Sequence, residues 1–245
     1  NTFKQTTNNI DNFISINERL SKNIFVNKLV QDFLIKDMNN YDKVSMSNTL
    51  KKVVVENISL SQAIFDVNLY KLDGKLFFST SANGIPADID TELLNYMDEY
   101  SRPVWTFSNK DKYGRNHVNL IRKIKGVQNN EYNFKNIGYL VLTYYERDIQ
   151  DLYGDVNLEE GSDVFIVDKN GVIISRKSKN MIGSYIDLSK DHLKGNAFVD
   201  CFSKHGNFLY ILYACKNIPW YIVGKIPYND FARDVNQVLV WNIYI

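Results

Sequence analysis

The sequence predicts an α+β fold in which a long N-terminal helix precedes two antiparallel β-sheet modules of one plan. Apolar residues recur at helical spacing from Ile10 to Leu34. Two β-hairpin sequences then follow 97 positions apart, DVNLYKLDGKLFF from Asp66 and DVFIVDKNGVIIS from Asp163. A second pair of similar segments lies further along each half, so the pattern indicates an internal duplication.

The first predicted element is an amphipathic helix over residues 1 to about 36. No Pro or Gly interrupts this stretch, and Asn and Lys occupy the face opposite the apolar positions. NNYDKVS is expected to end the helix, and a second helical stretch is expected to follow through Leu50, Val53, Val54 and Ile58. We therefore assign residues 1–62 to helices.

Each hairpin sequence contains a strong turn signal, Asp73-Gly74 in the first and Asn170-Gly171 in the second. Such hairpins occur in every class of β fold, so one of them alone says little. The duplication depends on the second pair of segments, GYLVLTYYERDI (138–149) and WYIVGKIPYNDF (220–231), which align without gaps. Because the same two blocks recur in the same order, two copies of one module are predicted.

The copies differ in length, since the separation falls from 97 positions to 82 between the two blocks. About fifteen additional residues therefore lie inside the first copy, and the polar segments NKDKYG and KGVQNNEYNFK are the loops expected to hold them. We place the first module at residues 63–157 and the second at 158–232. Residues 233–245 are expected to form an exit helix.

Further elements follow from local patterns. The first module is expected to contain a short helix in NGIPADIDTELLNYMDEYS, strands in PVWTFSN, NHVNLIRKI and NIGYLVLTYY, and a connecting helix in ERDIQDLYGDV. The second is expected to contain strands in AFVDCFS, NFLYILYAC and WYIVGKI.

Composition excludes some functions. Lys and Arg total 29 against 28 Asp and Glu, which gives none of the basic excess of a nucleic-acid-binding surface. No run approaches the ~20 apolar residues that cross a bilayer, and VLVWNIYI at the end is the nearest. A polar start and an apolar end suggest a piece cut out beside a membrane span, while a soluble protein with an amphipathic last helix remains the alternative.

The two cysteines are predicted to be free thiols. A hairpin turn near His205 would place Cys201 roughly opposite Tyr210, about five residues from Cys215. At ~3.3 Å per strand residue, the two sulfur atoms would then be too far apart for a disulfide.

Signs of catalysis or of a cofactor are missing from the sequence. His117, His192 and His205 occur singly, and none has a cysteine at a metal-ligand spacing. Neither a phosphate-binding loop nor a nucleophile motif is present. We expect no cofactor and no metal, and we do not expect an enzyme.

The second module carries a family resemblance. FIVDKNGVIISRKSKNMIG and PWYIVGKIPYNDF, behind a long helix and a first module of the same plan, resemble a double Cache sensor domain. The chain is most similar to extracytoplasmic sensors of histidine kinases from Gram-positive bacteria. The resemblance implies two PAS-like modules outside the cell, held between two membrane spans that lie beyond this chain, in a homodimeric receptor. A chemoreceptor ectodomain and a free-standing extracellular binding protein are the alternatives.

The resemblance also implies where a small molecule, or an extracellular binding protein carrying one, would bind. That place is the membrane-distal module, here the first, on the sheet face opposite the N-terminal helix. The candidate ligand-binding residues are Trp105, Tyr113, Asn119 and Arg122.

Arg122 is the main candidate, since strand alternation puts it on the same face as Val118 and Leu120, where it could hold a carboxylate. Alternatively it pairs with a neighbouring acid or reaches water. In the amino-acid-binding branch of the family Arg and Trp are nearly adjacent. SRPVWTF spaces Arg102 and Trp105 differently, so an amino-acid ligand is not implied.

Overall fold

The structure is a computed structural model of the 245-residue chain. It describes residues 2–36, 40–58, 63–81, 87–89, 91–98, 102–108, 111, 113–128, 131–156, 160–186, 201–205 and 207–227. The predicted exit helix at 233–245 and His192 lie outside the described residues.

The helices are α1 (Thr2–Val26), α2 (Lys28–Ile35), α3 (Asn40–Ile58), α4 (Thr91–Asp98) and α5 (Glu146–Asp151). The prediction of one unbroken helix to residue 36 is wrong. The chain turns to extended backbone at Asn27, whose side chain accepts a hydrogen bond from the backbone N–H of Leu29 at 2.9 Å and so caps α2. The start of α3 also lies within NNYDKVS, so this segment joins the helix that it was expected to precede.

Ten strands among the described residues form two five-stranded antiparallel sheets. The first contains β1 (Ile64–Tyr70), β2 (Leu76–Ser79), β3 (Val104–Ser108), β4 (His117–Gln128) and β5 (Glu131–Tyr145). The second contains β6 (Asp163–Asp168), β7 (Ile173–Arg176), β8 (Cys201–His205), β9 (Phe208–Ala214) and β10 (Trp220–Pro227). The strand orders β2-β1-β5-β4-β3 and β7-β6-β10-β9-β8 are the same topology, which confirms the predicted α+β fold.

The chain divides into two compact units. Residues 15–145 form one, which holds the first sheet and is called the first module below; residues 1–14 and 146–245 form the other, called the second module. No helix in the described part of the chain is long and apolar enough to cross a membrane.

The strand registers confirm the duplication residue by residue. The pairs of the first hairpin are Asn68–Ser79, Leu69–Phe78 and Tyr70–Leu76. The pairs of the second hairpin are Phe165–Arg176, Ile166–Ser175 and Val167–Ile173, each residue 97 positions further on. The closing strands agree in the same way, because Asp66 pairs with Thr143 and Asp163 with Lys225.

The registers also locate the additional residues of the first module. Thr106 pairs with Asn119 thirteen positions later, whereas the equivalent Ser203 pairs with Tyr210 seven positions later. Asn119 pairs with Thr143 across 24 positions, whereas Tyr210 pairs with Lys225 across 15. The connections β3–β4 and β4–β5 therefore hold the excess, as predicted.

The second of these connections is not a loop. KGVQNNEYNFK was predicted to be a polar loop, but β4 continues to Gln128 and β5 begins at Glu131. The pairing shifts register between Ile124 and Lys125 and again between Lys125 and Val127. The polar composition of this segment favours a loop. Backbone pairing between β4 and β5 nevertheless holds it in a long hairpin.

In each module, the turn of the first hairpin contains a glycine at a position that has no room for a Cβ atom. Gly74 and Gly171 have φ angles of 78° and 84°, and each carbonyl accepts a hydrogen bond at 2.9 Å from an isoleucine N–H, Ile89 and Ile186 respectively. A Cβ would lie 2.8 Å from the Ile89 oxygen or 2.6 Å from the Ile186 oxygen. The turn glycine thus lets the following segment close over the hairpin in both modules.

The cysteine register differs slightly from expectation. Cys201 pairs with Leu212 rather than lying opposite Tyr210, because His205 pairs with Phe208 and the centre of the hairpin lies one residue later than predicted. Cys215 is a buried free thiol, as predicted.

Candidate functional site

The first sheet has two faces of different character. One carries α1, and we call it the α1 face; the other carries Leu94 and Met97 of α4, and we call it the α4 face. On the α4 face these two side chains pack with Tyr70, Ile121, Tyr139 and Val141. Because side chains alternate along a strand, successive residues of β4 belong to opposite faces.

Arg122 lies on the α1 face, together with Val118 and Leu120 as alternation predicted. Its Nε donates a hydrogen bond to Ser21 Oγ at 2.7 Å, and a terminal nitrogen donates to the backbone oxygen of Glu18 at 2.9 Å. Burial lowers the pKa of this guanidinium, although the charge of Glu18 acts in the opposite direction. The side chain therefore connects β4 to α1.

Trp105 lies on the same face. Its Nε1 donates to Glu18 Oε1 at 3.2 Å, and its ring lies 5.2 Å from that of Tyr144, measured between centroids. Three of the four predicted site residues are therefore divided between the two faces: Trp105 and Arg122 contact α1, and Asn119 lies on the α4 face. Tyr113 precedes β4 and is 60% exposed.

Asn119 belongs to a polar row across the α4 face. It pairs with Thr106 of β3 on one side and with Thr143 of β5 on the other. Thr143 in turn pairs with Asp66 of β1. Since neighbouring strands lie about 4.8 Å apart, these four side chains line one continuous strip on this face.

Several polar atoms at this strip are buried without a partner. Asp66 and Asn68 are only 7% and 3% exposed. The side-chain oxygens of Asn68 and Asn119 are buried and accept no hydrogen bond from any residue that the structure describes. Buried acceptors of this kind cost free energy until a donor reaches them, so they fit a ligand with N–H or O–H groups.

Asp66 is the acid of this strip. Burial raises the pKa of its carboxyl, although a hydrogen bond from Ser81 and the positive charge of Arg115 both act to lower it. Sequence analysis used Asp66 only as a match between hairpins and did not identify it or Asn68 as site residues. The available signal was IFDVNLY, where an acid and an amide alternate with buried apolar residues on one strand.

An arginine surrounded by aromatic rings lies beside the strip. Arg115 makes contacts of 2.7 Å with Asp111 Oδ2, and its Nη1 donates to the Tyr145 hydroxyl at 2.8 Å. Its guanidinium also lies 4.8 Å from the Tyr113 ring centroid and 5.5 Å from that of Phe65. Burial acts to raise the pKa of Asp111, but hydrogen bonds from Arg115 outweigh it and hold that pKa at about 2.

His117 occupies the same end of the α4 face. It is 6% exposed, and its ring is stacked on Phe65 with 5.6 Å between centroids. Burial lowers the pKa of His117; the charge of Asp111 opposes this shift and that of Arg115 adds to it. Burial thus favours the neutral imidazole, whose ring widens the aromatic surface at this end.

The equivalent face of the second module is filled. Phe165 stands where the first module has Asn68, and Tyr210 stands where it has Asn119. Both pack into one apolar cluster with Val167, Ile173, Leu212, Tyr221 and Val223. The described residues contain no group of three or more His, Cys, Asp or Glu side chains that could hold a metal ion.

Comparison with known proteins identifies the family. A sequence comparison with curated proteins gave no match. Among solved structures, the ligand-binding domain of the Pseudomonas fluorescens chemoreceptor CtaA, solved with L-valine, is 15% identical with a TM-score of 0.61, over 91% of this chain and 92% of that one. The domain of the Pseudomonas aeruginosa chemoreceptor PctB, solved with L-Arg, is 13% identical with a TM-score of 0.63, over 94% and 93%.

The domain of the Campylobacter jejuni chemoreceptor Tlp3, solved with 4-methylisoleucine, is 16% identical with a TM-score of 0.60, over 92% and 88% of the two chains. These likenesses are likenesses of fold. The profile of the Cache domain family matches residues 1–235. The chain therefore belongs to the Cache domain family, which comprises extracellular sensor domains of membrane receptors.

Proposed function

We propose that this chain is the ligand-sensing domain of a transmembrane signalling receptor and that it binds a small molecule on the α4 face of its first module. The observation that carries this proposal is the pair of buried, unpartnered oxygens of Asn68 and Asn119 on that face. A few convergent polar groups beside aromatic side chains are typical of small-molecule sites. A domain of this kind binds and signals, and we assign it no reaction.

The second module supports the choice of the first as the binding module. It has the same strand order and register, yet apolar and aromatic side chains occupy the positions of Asn68 and Asn119. A packed face of this kind offers no buried acceptors to a ligand. We assign the first module to the membrane-distal position and the second to the membrane-proximal position.

Strand β4 offers a route from ligand to helix. Asn119 faces the proposed site, and Arg122, three residues on, holds α1 from the opposite face through Ser21 and Glu18. A ligand that forms a hydrogen bond with Asn119 favours one position of β4. It thereby favours one position of α1 against the first sheet. Such coupling requires only a difference in affinity between two states, typically about 1–3 kcal/mol. Trp105 strengthens the same connection through Glu18.

The output of the receptor has two candidates. Sequence resemblance favours a histidine kinase, and the structural neighbours favour a chemoreceptor, because several of them are chemoreceptor ligand-binding domains. Either receptor works as a homodimer with membrane spans outside this chain. The reading frame beyond Ile245 distinguishes them: a kinase domain, a signalling coiled coil, or an end to the chain, the last of which would indicate a free-standing binding protein.

Thermal-shift measurements test the binding site. The purified domain is heated with amino acids, simple amines and small carboxylic acids, and at least one class is expected to raise the melting temperature. Asn119→Leu should remove that rise, whereas Asn23→Leu on the exposed side of α1 should keep it. Arg122→Ala should also keep it, since its contacts are with α1. A rise that persists in Asn119→Leu would contradict the proposed site.

A further inference from the structure

One carboxylate organises the connection between β3 and β4. Asp111 Oδ1 accepts hydrogen bonds from the backbone N–H groups of Tyr113 at 2.8 Å and Arg115 at 3.0 Å. Asp111 Oδ2 accepts a hydrogen bond from Nε of Arg115 at 2.7 Å, and Nη2 of the same guanidinium also lies 2.7 Å away. The backbone N–H of Gly114 donates to the Asp111 carbonyl at 2.9 Å, and that of Asp111 donates to the Arg115 carbonyl at 3.0 Å. We call Asp111, Tyr113, Gly114 and Arg115 the Asp111 turn.

His117 lies beside this turn with one ring nitrogen unsatisfied. Its Nε2 is buried and has no hydrogen-bond partner among the described residues. This nitrogen lies 3.7 Å from Asp111 Oδ2, which is too far for a hydrogen bond. The imidazole stacks on Phe65 and also contacts the ring of Tyr145, with 5.4 Å between centroids. A buried nitrogen without a partner is costly, and the cost is greater when the ring is protonated and carries a charge.

The charged groups that act on His117 both belong to the Asp111 turn. Burial lowers the pKa of His117 most, Asp111 acts to raise it, and Arg115 acts to lower it. The residues paired with His117 across the sheet, Ser108 on β3 and Tyr145 on β5, are of uncharged types near neutral pH. Asp111 stays ionised between pH 5 and 8, because its pKa is about 2. Histidine is the residue type in this cluster that ordinarily changes charge within this range.

Protonation of His117 sets it in competition with Arg115. The imidazolium requires an acceptor for its Nε2–H, and Asp111 Oδ2 must come roughly 1 Å closer to form a charge-assisted hydrogen bond. That oxygen already accepts from Arg115, and the other oxygen of the carboxylate holds two backbone N–H groups. A movement of Asp111 towards His117 therefore lengthens the hydrogen bonds within its own turn. The new positive charge also repels that of Arg115.

We propose that the first module also senses acidity outside the cell, in that protonation of His117 draws Asp111 away from Arg115 and opens the Asp111 turn. This is a second function beside small-molecule binding, because it requires only a proton and the residues of this cluster. Arg115 also donates to the Tyr145 hydroxyl at 2.8 Å, so a change in its position reaches β5.

The direction of the pH dependence follows from linkage. The pKa of His117 in the folded domain lies below its ordinary value of 6.5, so the unfolded chain takes up a proton first as the pH falls. The stability that comes with the neutral imidazole is therefore present above about pH 6.5 and is lost as the pH falls towards the folded-state pKa. Opening of the turn, if it exposes His117, gains from acidification in the same way.

Amide hydrogen exchange measured by NMR tests the proposal on the domain without any ligand. The backbone N–H groups of all four residues of the Asp111 turn are hydrogen-bonded within it, so their exchange reports its opening. After correction for the intrinsic effect of pH, exchange should be about three- to tenfold faster at pH 5.5 than at pH 7.5. Tenfold is about the limit for one proton at one pH unit below the ordinary pKa. The carbon-bound ring protons of His117 should titrate over the same interval.

Variants assign the response to its residues. His117→Phe keeps a ring beside Phe65 and cannot be protonated, and His117→Gln serves if phenylalanine disturbs folding. In either variant, the corrected exchange of the turn should differ by less than about 1.5-fold between the two pH values. Asp111→Asn removes the carboxylate for which His117 and Arg115 compete and should give fast exchange at both pH values. His205→Gln, in β8 of the second module, is the matched control and should keep the wild-type response.

Three results would overturn the proposal. The first is corrected exchange of the turn that is equal at pH 7.5 and pH 5.5 in the wild-type domain. The second is a His117 ring that does not titrate down to pH 5. The third is a response that persists in the His117 variants; its loss in Asp66→Asn would then assign the response to that buried acid instead. Because these measurements use no ligand, small-molecule binding at the polar strip is tested separately.

Discussion

The side chain of Gln31 connects two irregular places in the first module. Its carboxamide is 3% exposed. Nε2 donates to the backbone oxygens of Phe25 at 2.6 Å and Lys125 at 3.1 Å, and Oε1 accepts from the N–H of Val127 at 3.0 Å. Phe25 lies at the end of α1, and Lys125 and Val127 lie where β4 shifts register. One side chain thus satisfies backbone groups at both a helix end and an irregular strand.

Replacing Gln31 by leucine should therefore destabilise the first module. The change leaves buried backbone groups without partners, and we expect a loss of about 3 kcal/mol in the free energy of unfolding. Urea denaturation followed by circular dichroism measures it. Gln5→Leu is the control, because Gln5 is exposed on α1 and should change stability by less than about 0.5 kcal/mol. Equal effects of the two substitutions would contradict this account of Gln31.

At the scale of single residues, the alternation of side chains along a strand predicted the position of Arg122 better than its residue type predicted its role. It correctly grouped Arg122 with Val118 and Leu120. It could not say which neighbour covers that face, and the neighbour is α1, held through Ser21 and Glu18. A guanidinium that is bonded to a helix on one face of a strand is not available to the other face, and this separates Arg122 from Asn119.

At the scale of elements, the hairpin turns require glycine, and the sequence has glycine there. Gly74 and Gly114 both adopt positive φ, at 78° and 75°. They differ in their surroundings: a Cβ at Gly74 would meet the Ile89 oxygen at 2.8 Å and Leu94 Cδ1 at 3.0 Å, whereas a Cβ at Gly114 would meet nothing within 4 Å.

This pair of glycines allows strain and steric clash to be separated. Gly114→Ala should cost about 1 kcal/mol for the left-handed backbone alone. Gly74→Ala adds the clash with Ile89 and should cost about 2–4 kcal/mol. Thermal and urea unfolding of the two variants measure the difference. If Gly114→Ala proved as destabilising as Gly74→Ala, the close approach of Ile89 would not be what requires glycine at position 74.

The helical elements show where local pattern misleads. The apolar spacing continues through Asn27, so the sequence predicted one helix where the chain forms α1 and α2. The break is made by the Asn27 cap and is supported by the contact of Gln31 with Phe25. Both contacts depend on the position of residues in space, and a hydrophobic period does not record them.

At the scale of the whole molecule, one topology is used twice with different contents. The two sheets share their strand order and registers, yet the α4 face of the first carries a polar strip at positions that are apolar or aromatic in the second. A duplicated module can thus keep its fold while one copy packs this face with apolar side chains and the other places polar side chains on it. The matched acids Asp66 and Asp163 are the sharpest instance of this difference.

Amide hydrogen exchange should reveal the same division. A bound ligand should slow exchange in β1, β4 and β5, where Asp66, Asn68, Asn119 and Thr143 lie, because a ligand that links these strands reduces their local opening. Exchange in β6, β9 and β10 should change much less. Mass spectrometry of peptides from the free and liganded domain gives the comparison, and protection centred on β6 to β10 would place the site in the other module.

The sequence by itself determined the α+β class, the duplication, both hairpin turns and the two places where the first module is longer. These follow from local pattern and from repetition, which a single chain displays directly. The tertiary structure alone decided that α1 ends at Val26, that β4 and β5 extend to Gln128 and Glu131, and which sheet face α1 covers. The physical reason is that neighbours in space decide what a side chain does: Arg176 pairs with Asp163 in the second module, whereas Ser79 stands at the position of Arg176 in the first.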